Sequence, residues 1–255
     1  MRFLAAGSTH DGQKRDHNED SFLVDLAHGV FVVADGMGGH KHGEVASAIA
    51  IKSFQSTVAA FDDSDVTAPW HFDEKLTEDA NLINGCIQWA NMEIRNLSKA
   101  EAEDGDEDPK SMGTTVVSMR VGKTKVTYAH VGDSRIYMLR DGKLVPLTKD
   151  HSAVQEMIDA GYPEDKVHQL NIKNIITRAC GLVDNLKVTI ADVEPQSGDK
   201  FLLCSDGLTN EIPDPSLELL MNLPVGPGQT VDMMIEAANA HGGNDNITAV
   251  VVCIL

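Results

Sequence analysis

Apolar residues along the chain fall into short runs and into one long stretch with helical spacing. Arg2 to Gly7 reads as a first strand, followed by a polar stretch, D-G-Q-K-R-D-H-N-E-D, from Asp11 to Asp20. Ser21 to Asp25 reads as a second strand, with Ala27-His28-Gly29 as the turn into Val30–Ala34. That last run is rich in β-branched residues and apolar throughout, the pattern of a buried strand. Glu44 to Phe61 contains good helix formers and no Gly or Pro; Asp62 to His71 then breaks the pattern. Leu76, Ala80, Ile83, Ile87, Ala90, Ile94 and Leu97 recur by four and three, placing them on one face of a long helix directed at a core rather than at a dimer seam. Glu101 to Asp108 reads as solvated acidic surface and lacks the spacing of an EF-hand.

Three strands follow, Gly113–Arg120, Lys125–Val131 and Ser134–Arg140, with Asp141-Gly142 as a hairpin signal. Short connections of this kind predict an antiparallel meander. Asp150 to Ala160 reads as a short helix, and Gly161 to Lys173 is irregular, so residues 152–175 are expected to form a flap. Lys187–Val193, Lys200–Cys204 and Ile247–Leu255 read as strands, and Pro215–Met221 and Gln229–Ala240 as short helices. Early and central strands separated by long helices predict an α+β domain with two sheets. With no repeat, low-complexity linker or compositional break, residues 1–255 are expected to form one domain.

Composition narrows the function. A formal net charge of -18 argues against a nucleic-acid binder, which needs clustered Lys and Arg. Cys86, Cys180, Cys204 and Cys253 form no C-x-x-C pair, so the simplest account is free thiols in a reducing compartment. The N-terminal apolar run is too short for a signal peptide, and no apolar stretch is long enough to span a bilayer. A cytoplasmic protein with no membrane insertion is the expectation.

The candidate chemistry lies in carboxylates at strand ends. Asp35 closes the 30–34 strand and is followed by Gly36, Gly38 and Gly39. Gly36 leaves its carbonyl open to a ligand, and a carboxylate beside bare backbone suits a hard cation that takes oxygen ligands. Asp133 in H-V-G-D-S-R, Asp206 in L-L-C-S-D-G-L and Asp245 in G-G-N-D-N-I-T repeat the pattern. Each of the four, taken singly, reads equally well as a turn-forming Asp. Jointly they favour a shared metal cluster.

Eight stretches in order, R-D-H-N-E-D, V-A-D-G-M-G-G-H, G-T-T, H-V-G-D-S-R, L-T-K-D-H-S, I-T-R-A-C-G, C-S-D-G-L-T and G-G-N-D-N-I-T, resemble those of bacterial metal-dependent protein phosphatases of type 2C. The resemblance runs from about Gly7 to the C-terminus. It implies a four-layer αββα sandwich of two antiparallel sheets flanked by helix pairs. It also implies hydrolysis of phosphoserine and phosphothreonine by a metal-activated water, with no covalent phosphoenzyme. Two Mn²⁺ or Mg²⁺ ions would be held by Asp35, the Gly36 carbonyl, Asp206 and Asp245, with Asp35 bridging. Glu19 and Asp20 match an acidic pair that acts directly or through water. Asp133 matches a ligand of a third, weaker metal, and Arg15 the arginine that grips the substrate phosphate. The implied partners are phosphorylated proteins, including substrates of a cognate serine/threonine kinase and that kinase itself. Met37 stands where many eukaryotic members carry a proposed general-acid His; a thioether cannot donate a proton. His40 and His151 are nearby and read as structural. Two alternatives remain: a catalytically silent member that binds partners, and a hydrolase of small phosphoesters.

Overall fold

The computed structural model of the chain describes residues 1–38, 41–62, 72–101, 112–167, 169–170, 172 and 175–255. Two antiparallel sheets lie face to face. The first has the order β1 (Phe3–His10), β11 (Ile247–Ile254), β10 (Lys200–Cys204), β7 (Arg135–Arg140) and β8 (Lys143–Pro146). The second has the order β2 (Asp20–Asp25), β3 (Val30–Met37), β5 (Val116–Val121), β6 (Val126–Val131) and β9 (Thr189–Val193), with β4 (Gly113–Thr114) beside the end of β3. Helices α1 (Lys41–Asp62) and α2 (Glu78–Glu101) cover the outer face of the second sheet. On the first sheet lie α6 (Asp214–Asn222) and α7 (Pro227–His241). Three shorter helices, α3 (Ala153–Asp159), α4 (Glu164–Val167) and α5 (Asp206–Thr209), lie in the connections. This is the expected αββα sandwich.

Three apolar layers account for the stacking. The α2 stripe of Ile83, Ile87, Ala90 and Ile94 packs with Phe54 onto Val30, Val32 and Ala34, so it faces the core as its spacing predicts. Leu217, Met221, Met234 and Ala238 pack onto Leu202, Cys204, Ala249 and Val251. Between the sheets lie Phe31, Val33, Val117, Met119, Ile136, Phe201, Leu203, Val250 and Val252. A strand's period of two carries this inner face onward to polar residues. Phe31 and Val33 lead to Asp35, Val24 and Phe22 to Asp20, Phe201 and Leu203 to Ser205, and Val252 and Val250 to Thr248. One edge of the inner layer is therefore polar.

The meander expected from 113–140 is split. β5 and β6 pair in one sheet, whereas β7 joins the other. The chain changes sheets at Gly132-Asp133-Ser134, where Gly132 has φ +107. Short connections do not distinguish a hairpin from a crossing between stacked sheets, and this crossing puts Asp133 on the sandwich edge. The Asp141-Gly142 hairpin is present, with φ of 51 and 76 at its two residues, and leads into β8, a strand too short and exposed to show in the pattern. The short helix starts at Ala153, capped by the Ser152 hydroxyl, rather than at Asp150. Residues 63–71, residues 102–111, which include all of the acidic run but Glu101, and Gly39 and His40 lie outside the described residues, as do four positions of the expected flap, 168, 171, 173 and 174. No helix among the described residues is long and apolar enough to cross a membrane.

Candidate active site

At the polar edge a cleft of about 310 Å³ opens, lined by Arg15, Glu19, Asp35, Gly36, Met37, Gly38, Asp133, Ile176, Asp206, Asp245 and Asn246. Residues distant in sequence meet there because four strands end at this edge. Asp35 is placed by β3 and held from behind by the G-T-T stretch. Thr115 Oγ1 accepts from Asp35 N at 3.1 Å, and Thr115 N and Thr114 Oγ1 donate to Asp35 O at 2.8 and 2.9 Å. Asp206 opens α5 directly after β10, within hydrogen-bonding reach of Asp35, and accepts from Asn210 Nδ2 at 3.1 Å. Burial, then the charges of Asp20 and Asp206, holds the Asp35 carboxyl well above its ordinary range. Burial followed by Asp245 raises Asp206 in the same direction.

Asp20 is the one candidate that does not wall the cleft. It pairs in register with Asp35 but lies behind it. Its Oδ2 accepts from Thr248 Oγ1 at 2.6 Å and Ser205 Oγ at 2.8 Å. Burial, partly offset by these hydroxyls, pushes its carboxyl up to about 7. Glu19, its neighbour, does face the cleft.

The loop of residues 11–19 is fastened to the start of β11 by one side chain. Asn246 Oδ1 accepts from Glu19 N at 2.9 Å, and its Nδ2 donates to Asp11 O and His17 O at 3.0 and 2.9 Å. Gly12, with φ +83, lies so close to Asp245 O that a Cβ there would collide with it. These contacts put Arg15 on the rim, where its Nη2 donates to Asp245 Oδ2 at 2.8 Å. The arginine thus meets Asp245, not the Asp16 or Glu19 that a local surface pair would use. At Gly36 the requirement is space: its φ is not positive, but a Cβ would run into Gly43 O and Glu19 O. Conformational freedom is needed at Gly38, whose φ is +139.

Three buried carboxylate oxygens, Glu19 Oε1, Asp20 Oδ1 and Asp133 Oδ1, have no hydrogen-bond partner. His17 Nε2 lies 3.6 Å from Glu19 Oε1, beyond hydrogen-bond length. Burial, then Asp206 and Asp150, raises the Asp133 carboxyl to about 7. Uncompensated buried carboxylates are costly unless protonated or bound to a cation. The carboxylates of the cleft and the Gly36 carbonyl offer oxygen donors, which suit Mg²⁺ or Mn²⁺ better than zinc. The residues therefore fit a divalent cation, although no three His, Cys, Asp or Glu side chains among the described residues are drawn into a complete ligand shell. Asp245 turns instead to Arg15, and Asp20 to two hydroxyls.

Other candidates are excluded as acids or nucleophiles. His151 is fully engaged by hydrogen bonds, and burial, then His130 and Arg178, lowers its pKa to about 3. Cys180 and Cys204 are buried free thiols pushed up to about 12. Asn246, Ser205, Thr248 and Thr115 were not singled out by the sequence reading. For Ser205, Thr248 and Thr115 the available signal was periodicity: a polar residue in phase with the inner-facing apolar positions of the adjoining strand.

Residues 6–246 match the family model for protein phosphatase 2C. A serine/threonine phosphatase of Listeria welshimeri is 35% identical over 251 residues, covering 96% of this chain and 93% of the relative. The solved structure of the Mycobacterium tuberculosis serine/threonine phosphatase PstP/Ppp superposes with a TM-score of 0.84 at 30% identity, covering 99% of this chain and 98% of that one. A structure of a PstP catalytic domain in complex with two manganese ions superposes with a TM-score of 0.78 at 29% identity, covering 98% and 97%.

Proposed function

The chain belongs to the protein phosphatase 2C family and is a metal-dependent serine/threonine phosphatase; from that premise we propose that the cleft hydrolyses phosphoserine and phosphothreonine in proteins phosphorylated by a cognate kinase. The observation that carries this reading is the convergence of Asp35, Asp206, Asp245, Asp133 and Glu19 on one cleft with Arg15 at its rim. Asp35, Asp206, Asp245 and the Gly36 carbonyl would hold two divalent cations, manganese being the precedent in a relative. Asp133 would hold a weaker third. When bound, such cations lower the pKa of water and offset charge on the phosphoryl oxygens.

The chain's own residues supply the rest. Arg15 presents a planar fork of N–H donors that matches phosphate oxygens. It counters the repulsion that the carboxylates exert on a dianionic substrate. Asp20, behind Asp35 and fixed by Ser205 and Thr248, keeps one buried oxygen without a hydrogen-bond partner and would act through a bound water rather than as a direct ligand. Thr114 and Thr115 fix the Asp35 backbone. No side-chain nucleophile is needed, in line with the inert thiols. Titrating Mn²⁺ into chelator-stripped protein by calorimetry tests the assignment. Asp35→Asn should abolish tight binding while the variant stays folded, and unchanged tight binding would remove Asp35 from the site.

A further inference from the structure

The Gly132–Asp133 turn that crosses between the sheets is held from one side by a single residue. His151 N donates to Gly132 O at 2.9 Å, and Gly132 N donates to His151 Nδ1 at 3.1 Å. Backbone and side chain of one residue thus close a reciprocal clip on the residue before Asp133. We infer that His151 is a positioning residue for Asp133, clipping the Gly132 turn so that the Asp133 carboxylate faces the cleft; this rests on the proposed role of Asp133.

The tautomer follows from the partners. An amide N–H can only donate, so Nδ1 of His151 is the unprotonated acceptor. In the neutral ring Nε2 then carries the proton and donates to Thr189 Oγ1 at 3.0 Å. Arg178 Nη1, 3.1 Å from the same Nε2, can only donate, so in this tautomer its N–H opposes that of the ring and its positive charge stands against a charged ring. His130 stacks on the ring at 4.4 Å between centroids and 9° between planes, and its own Nε2 donates to Lys149 O at 2.9 Å. Burial beside these groups keeps His151 neutral, so its acceptor persists.

The turn needs such a hold. Gly132 has φ +107, and a Cβ there would lie 2.6 Å from Thr115 Cγ2. Thr115 is also the residue that fixes Asp35, and its hydroxyl meets Ser134 Oγ at 2.8 Å. On its other side, His151 O accepts from Thr177 N at 2.8 Å, one residue after Ile176 of the cleft wall. The clip thus joins the Asp133 turn to that wall.

Two substitutions separate the two ring nitrogens. The amide oxygen of Asn reaches the place of Nδ1, whereas Gln reaches that of Nε2. In metal-free protein, His151→Gln should speed hydrogen exchange of the Gly132 amide about tenfold or more, since it loses its acceptor. His151→Asn should leave that amide protected. At saturating metal, His151→Gln should lower kcat to the level of Asp133→Ala, and the double variant should be no worse. A purely structural role would loosen amides throughout the fold and add to the Asp133→Ala loss. Unchanged Gly132 exchange in His151→Gln, or additive losses, overturns the inference. Should His151→Gln fail to fold, His151→Asn decides: a protected Gly132 amide with kcat within about threefold supports the clip, and an exposed one overturns it. Wild-type turnover in Asp133→Ala would refute the role of Asp133 instead, while Gly132 exchange still reports the clip.

Discussion

Replacing Arg15 by Ala should separate two contributions that the structure places on one side chain. Arg15 is ion-paired with Asp245, but their side chains are 51% and 37% exposed, so solvent screens the pair. An exposed pair of this kind is worth at most about 1 kcal/mol. Its loss should therefore lower Tm by no more than about 2–4 °C in a chain of this size. A charge-assisted contact with the substrate phosphate is worth more, about 1.5–3 kcal/mol. That corresponds to roughly a 10- to 150-fold loss in kcat/KM. Part should appear as a raised KM, because the phosphate is charged before reaction. Mn²⁺ affinity should not fall, since the substitution removes a cation that competes for Asp245. Arg15→Lys should recover only part of the activity, because an ammonium lacks the planar fork. The assay is steady-state kinetics on a phosphopeptide at saturating metal, with Tm followed in parallel. A kcat/KM within about twofold of the parent would refute the assignment and leave Arg15 as a partner of Asp245 alone.

Gly36→Ala should destabilise by about 1–3 kcal/mol through overpacking against Gly43 O and Glu19 O; an unchanged Tm would show that this approach is not tight. In chelated protein, Asp20 holds its proton up to about pH 7 in the fold, whereas the unfolded chain loses it near 3.8. The folded state then binds more protons, so this group's contribution to stability is present below pH 4 and lost as pH rises to 7. Asp20→Asn should therefore gain Tm relative to the parent across that window, and a constant offset would contradict the shift.

Much of this was legible in advance. The apolar runs located β2, β3 and β10 within a residue or a few, and the stripe on α2 identified its buried face. Asp35, Asp133, Asp206 and Asp245 stood out because each interrupts an apolar pattern beside a turn residue. Sheet membership was not legible, because the Gly132–Ser134 connection is as short as a hairpin. Asp20 and Glu19 were indistinguishable in a polar run; only pairing with β3 turns one behind Asp35 and the other toward the cleft. Asn246 was hidden because its work is done on backbone groups of residues 11–19, far away in sequence. The reason for Gly36 depends on Gly43, in the first turn of α1.

The central claim is that the carboxylate cleft works through bound divalent cations. Phosphate release from a phosphoserine peptide, by protein stripped with chelator and then supplied with Mn²⁺, tests it most directly. Release should fall to background in the stripped protein and return with Mn²⁺ or Mg²⁺, whereas Ca²⁺, with its looser geometry, should restore little. Full release by thoroughly chelated protein would contradict the account.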